Sequence, residues 1–351
     1  MDVRLSEEQR ALRDAAASVV NRLGPGSVAD LDDAARAQRL DAAVAAAGWR
    51  DLRAADDGGA PLASAVEVAL VAEELARGPA DAAYVGPVLA AELRRLAGGP
   101  PTTAAETVAT RPDLAELAHR GRPALAIDAA RAHRVLLLDA GVPTTAGQVR
   151  VVALPLVAAG PDAVDLTRRT ANIDPAAGEA EPVGEVAGED LVRFIALGLA
   201  VSCADLVGAM RGAIDLACSY ATTRHQYGVP VGSFQAVQHL LADAYVAMEG
   251  SRSAALHAAW AVDALDPDEA LAAASSAKAY CARAARSVCE TAIQVHGGIG
   301  NTWECRAHLY LRRSLVSREL FGGLGTSLQR VLEHELHHEL HHELGSSVGL
   351  R

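Results

Sequence analysis

Two blocks of this chain carry side chains suited to holding an anion or letting a ligand reach the backbone. The first is Arg224-His225-Gln226-Tyr227-Gly228-Val229-Pro230-Val231-Gly232-Ser233-Phe234-Gln235. The second is Gln294-Val295-His296-Gly297-Gly298-Ile299-Gly300, followed by Trp303-Glu304 and His308-Leu309-Tyr310-Leu311-Arg312-Arg313. A guanidinium is permanently charged and offers several donors, which suits it to phosphate. Glycine has no Cβ, so the main chain at Gly297 and Gly298 can come close to a ligand. Singly, Arg224 reads as a surface ion pair and the two glycines as a helix cap. A site is argued only by the ordered set.

Two other patterns resemble chemistry. The tail His334-Glu335-Leu336-His337-His338-Glu339-Leu340-His341-His342-Glu343-Leu344 contains HExxH twice. On a helix, histidines at i and i+4 can share a zinc ion with the glutamate as base. Here the pattern is a by-product of a His-Glu-Leu repeat with no third ligand evident, so an exposed terminal helix is predicted and no metal site. Cys203, Cys218, Cys281, Cys289 and Cys305 form an odd set without a CxxC pair. They read as reduced core thiols of a cytoplasmic protein. Cys281 and Cys289, on one predicted helix, read as packing.

The elements that must position these residues follow from pattern. At 351 residues the chain can build two or three units with real cores. Only 3% of residues are aromatic, so alanine, leucine and valine must fill the interior. Lys278 is the single lysine. A net charge of −12 argues against a nucleic-acid binder, which needs a basic face. No run approaches the roughly 20 apolar residues of a membrane span, and MDVRLSEEQR is too acidic for a signal peptide. Residues 1 to about 100 read as helical, from a start at Ser6-Glu7-Glu8 and past a turn at Asp56-Asp57-Gly58-Gly59-Ala60-Pro61. Val135–Leu138 and Val151–Leu154 read as buried strands. Long helices are predicted at 192–221, 235–264 and 269–295, the last capped near Gly297.

Together the two blocks resemble the carboxy-terminal half of the acyl-CoA dehydrogenase family, which is built around FAD. Gly48-Trp49-Arg50-Asp51-Leu52 and Glu73-Glu74-Leu75-Ala76 match its amino-terminal helices loosely, and Leu166–Arg169 through Asp174-Pro175 resembles the last strands of its middle domain. The resemblance implies an α+β, mainly α fold. Its parts are an N-terminal helical domain (1–100), a shortened middle β-domain (101–190) and a C-terminal four-helix bundle with flavin-contacting loops (191–351). It implies that Arg224 pairs with the pyrophosphate of a neighbouring subunit's FAD. Gln226, Tyr227 and Phe234 pack on that flavin's far side, and Gln294, Gly297 and Gly298 approach its ADP portion.

What the family's catalytic chains carry is not found here. Their base is a glutamate in a Tyr-Glu-Gly-Thr-like turn. Aligning its aromatic on Phe321 puts Gly322 at the base position. Some relatives place the base on the first long helix of the bundle, which falls here near Gly198 or Leu199. Glu319 is close in sequence but displaced. No match is found to the Thr-Glu-Pro…Gly-Ser-Asp strand or the Trp-containing strand that cradle the flavin ring, so only the later strands of that domain are expected. The expectation is a non-catalytic subunit of a heteromeric acyl-CoA dehydrogenase, α2β2, cytoplasmic. A homologous partner would hold the acyl-CoA, possibly a steroid side-chain thioester by resemblance, and an electron-acceptor flavoprotein would take the electrons. The alternatives are a self-sufficient homo-oligomeric dehydrogenase with a displaced base, and a flavin-free scaffold.

Overall fold

The computed structural model describes residues 4–140, 147–156, 163–174 and 178–348. Ser6 opens helix α1 (Glu7–Leu23) through a capping box with Gln9, with Glu7 and Glu8 in the positive first turn. Helix α2 (Ala34–Ala46) is capped by Asp33, and α3 (Ala65–Arg77) by a second box, Ser64 with Glu67. Helix α4 (Val85–Leu96) has its first amides held by the Asp128 carboxylate, which accepts from Tyr84 N and Gly86 N at 3.2 and 3.1 Å.

A six-stranded sheet follows: β1 (Glu106–Thr110), β2 (Ala124–Ala126), β3 (Arg134–Asp139), β4 (Gln148–Pro155), β5 (Ala171–Ile173) and β6 (Glu181–Ala187). Its order is β5-β2-β1-β3-β4-β6, antiparallel except where β1 pairs with β3. The two-residue alternation of strands sorts the apolar side chains. Leu136, Leu138, Val151 and Ala153 face the helices and join the main core. Val135, Leu137, Val152 and Leu154 build a second core on the opposite face.

The strands at 135–138 and 151–154 lie where the pattern puts them, and β1 and β2 ahead of them were not read from the sequence. Their signal is weak for physical reasons: β1 mixes threonine and alanine, and β2 is three residues long. Residues 166–169 form a turn rather than a strand, and Pro175 lies outside the described residues.

The predicted long helices are α5 (Gly188–Thr223), α6 (Gln235–Ala264) and α7 (Pro267–His296), joined by a two-stranded hairpin, β7 (His225–Gln226) and β8 (Val229–Pro230). Helix α8 (Ala307–Ser317) completes the bundle, and α9 (Leu324–Val348) lies on α7. Helix α5 is long and apolar enough to cross a membrane by length and composition, but 78% of its most apolar window is buried. It is the axis on which α3, α6, α7 and α8 pack.

Candidate functional site

The two sequence blocks meet at one end of the bundle. Arg224 caps α5, its amide donating to Tyr220 O at 2.8 Å while its carbonyl accepts from Val231 N at 2.8 Å. The hairpin beyond it turns through Tyr227 and Gly228, both at positive φ (52° and 83°), the pairing that a two-residue turn between twisted strands requires. Tyrosine is costly there, on the order of 1 kcal/mol, and its side chain is 94% exposed. Tyr227 and Phe234 meet edge to face at 6.4 Å. Gln226 is exposed on β7. The second block ends α7: Gln294 is exposed on its last turn, and Gly297 leaves the helix at φ 66°. A Cβ at Gly298 would meet nothing within 4 Å. The blocks are fastened together by Tyr220 of α5 stacked on His296 of α7, ring centroids 4.5 Å apart.

This end is electrostatically poised for an anion. Among the described residues no carboxylate pairs with Arg224. Phe234 precedes α6 without a side-chain cap, so that helix's first amides face outward. The donor set fits the pyrophosphate of a dinucleotide, and the glycine pair leaves room for its nucleoside.

The other end is closed. Gly322 is buried at φ 102°, and Phe321, at φ 60°, is wholly buried. The Phe321 ring lies against Gly198, where a Cβ would come within 2.7 Å of it, and meets Phe194 edge-on at 6.0 Å. Leu199 is also fully buried. Glu319 is half-exposed and paired with Arg318 at 3.0 Å. The nearest cavity, about 190 Å³ between the sheet and the end of α8, is lined by Val85, Leu114, Ile127, Val316 and Leu320 and does not include Glu319.

Two buried polar clusters behind this cavity escape the sequence reading. Asp205 on α5 accepts from Arg168 Nη2 (2.6 Å), Arg313 Nη2 (2.7 Å) and Ser317 Oγ (2.6 Å), tying the sheet's loop to the bundle. Burial pushes its carboxyl up, but the two arginines outweigh that and hold it below its ordinary value. The second cluster centres on Lys278, whose Nζ donates to Ser202 Oγ (2.6 Å), Ser317 O (2.6 Å) and Leu320 O (2.9 Å). Burial pulls its pKa down to about 8. The usable signals were the second arginine of the Arg312-Arg313 pair and the rarity of lysine itself.

Of the other candidates, the HExxH tail lies on α9, with His334 half-buried and His337 exposed; the side chains beyond His337 lie outside the described residues. Four cysteines are buried, but Cys218 is exposed, a correction to its reading as a core thiol. It lies on a solvent-facing turn of α5, which the flanking pattern does not distinguish.

The carboxy-terminal domain model of the acyl-CoA dehydrogenases matches residues 193–334. The acyl-CoA dehydrogenase IpdE2 of Mycobacterium tuberculosis is 32% identical over 269 residues, 76% of this chain and 76% of that protein. FadE34 of the same organism is 42% identical over 147 residues, 42% of this chain, which spans only 20% of FadE34's length. The fold is shared with the Tcur3481–Tcur3483 steroid ACAD, at a TM-score of 0.76 and 19% identity over 95% of this chain and 99% of that one.

Proposed function

The chain belongs to the acyl-CoA dehydrogenase family, and we propose that it is the subunit of a heteromeric member that lends binding residues to a flavin held by its partner. FAD is the cofactor. When bound, it takes up the hydride that leaves the β-carbon of an acyl-CoA thioester. Arg224 neutralises its pyrophosphate, assisted by the uncapped first turn of α6. Gln294, Gly297 and Gly298 would hold the ADP portion, and Gln226, Tyr227 and Phe234 would pack on the flavin's far side.

One observation carries this reading: the Phe321 ring occupies the space above Gly198, beside Gly322. By the resemblance, the family's two base positions fall at Gly322 and at Gly198 or Leu199, none of them a carboxylate, and the Phe321 ring packs against Gly198. A carboxylate has no place there, whereas the distal binding end is open and unpaired. The partner supplies the base, the ring cradle and most of the acyl-CoA pocket. The complex is α2β2 and passes its electrons to an electron-transfer flavoprotein. The steroid ACAD that shares the fold favours a steroid side-chain thioester as substrate.

The test is to purify the chain alone and in complex with its partner, then record flavin content and acyl-CoA-dependent flavin reduction. The chain alone is expected to hold no flavin and the complex to turn over. Full flavin occupancy and turnover by the chain alone would overturn the proposal. In the complex, Arg224→Ala is expected to strip flavin. Unchanged flavin content would leave a scaffold role instead.

A further inference from the structure

We infer that Trp303, backed by His308 and flanked by Arg312, is a stacking platform for the adenine of an ADP-bearing ligand. Trp303 stands in the loop between α7 and α8, five residues past Gly298. Its side chain is 64% exposed, whereas Trp49 is buried. An indole left this open in so aromatic-poor a chain leaves a large apolar face to be covered by something else.

The surroundings hold that indole in place. His308 meets it edge-on at 5.2 Å and is itself only 9% exposed. Neither ring nitrogen of His308 has a hydrogen-bond partner among the described residues. Leaving both buried and unmatched is costly, and the imidazole's service is to stand as a floor against which the indole is propped. Arg312 places its guanidinium carbon over one face of the indole, 5.8 Å from the centroid, and donates to Val164 O at 3.3 Å, so the face offered to a base is the one it does not cover. Among the described residues no carboxylate pairs with Arg312, so its charge is free for a phosphate.

A flat apolar face beside an unneutralised guanidinium matches a purine joined to a diphosphate. Bases stack on aromatic side chains through their π-faces, and arginine adds attraction to the anion. FAD and coenzyme A share this ADP unit, so either can present it. The inference rests on the proposed heteromer, in which both ligands lie at the interface with the partner.

The experiment uses the complex carrying Trp303→Ala, with Trp303→Phe as the conservative variant. Flavin retention is measured by flavin fluorescence released on dilution. KM is measured for an acyl-CoA and for the same acyl group on N-acetylcysteamine, which has no nucleotide. If the adenine belongs to FAD, Trp303→Ala releases flavin at roughly tenfold lower dilution, with both KM values unchanged. If it belongs to coenzyme A, KM for the acyl-CoA rises roughly tenfold while that for the short thioester stays. In either case Trp303→Phe restores most of the loss. Unchanged flavin retention and unchanged KM would overturn the inference. So would dissociation of the complex on size-exclusion, which assigns the indole to protein docking. Arg224→Ala is run in parallel. If Arg224→Ala strips flavin while Trp303→Ala changes nothing, only the platform falls; if Arg224→Ala leaves flavin intact, the in-trans reading falls.

Discussion

Helix α5 joins two ends of the molecule that are built in opposite ways. Gly198 near its start is sealed beneath Phe321, while Arg224 at its end stands in solvent with no carboxylate paired to it among the described residues. Some 26 residues of helix at ~1.5 Å per residue put about 39 Å between them. At the sealed end two buried charges are matched: Asp205 with two arginines, Lys278 with three oxygens. The open end leaves Arg224 without a carboxylate partner among the described residues and Tyr227 exposed. Matched polar groups specify a fold, and unmatched exposed ones await a ligand. Under the proposed function, the contrast separates what this chain does for itself from what it offers another.

The contrast breaks most severely at Asp205. Asp205→Ala leaves Arg168 and Arg313 buried beside each other without their shared carboxylate. The expected loss is about 3–5 kcal/mol, the usual cost of removing one partner of a buried ion pair. Urea unfolding of the chain measures it. A loss below about 1 kcal/mol would mean that Asp128 and Asp165 take over the pairing, and that the sealed end is less matched than its geometry. The same substitution logic at Arg224 costs the fold nothing measurable, since no partner is orphaned.

The next effect is a pH dependence at Lys278. Burial lowers its folded pKa to about 8 from an unfolded value of 10.5. The folded state therefore sheds its proton first, and between those values the unfolded chain binds more protons. Stability must rise with pH across that window, and the burial penalty is present in full below about pH 8. The increment is about 3 kcal/mol at most, at 1.36 kcal/mol per unit. The facing groups are Cys203, Cys281, Glu319 and Asp205. The measurement is the stability difference between the wild type and Lys278→Met at pH 7.5 and pH 10. It is expected to move in favour of the wild type, and a difference independent of pH would remove Lys278 as the titrating group.

These two clusters also mark the limit of sequence reading. The helices were legible because alanine-rich apolar periodicity persists over 30 residues. Gly322, and Gly198 or Leu199, could be named through the resemblance to the family. Their apposition through Phe321 could not, because it brings together residues more than 120 positions apart. Asp205 and Lys278 sit within apolar helices where a lone charge looks like a solvent face, and their partners come from a loop and from α8. Such pairings are tertiary facts with no local signature. The strands β1 and β2 were missed because three to five small residues carry too little alternation to read.

The smallest effect is the most diagnostic, because it applies one chemical change to both ends. Gly198→Ala adds a methyl group where the Phe321 ring already lies within 2.7 Å. Overpacking of this kind costs about 1–3 kcal/mol. It is not offset by the helical preference for alanine over glycine, about 1 kcal/mol, unless the ring can swing aside. Gly298→Ala adds the same methyl group into open space, so thermal unfolding of the chain alone should shift by the equivalent of no more than about 0.5 kcal/mol. In the complex the order inverts. Gly298→Ala places a Cβ between the loop backbone and the partner's flavin and is expected to raise flavin release, while Gly198→Ala leaves retention unaltered. If both variants changed stability alike, or if Gly298→Ala were silent in the complex, the division between a sealed end and a lending end would fail.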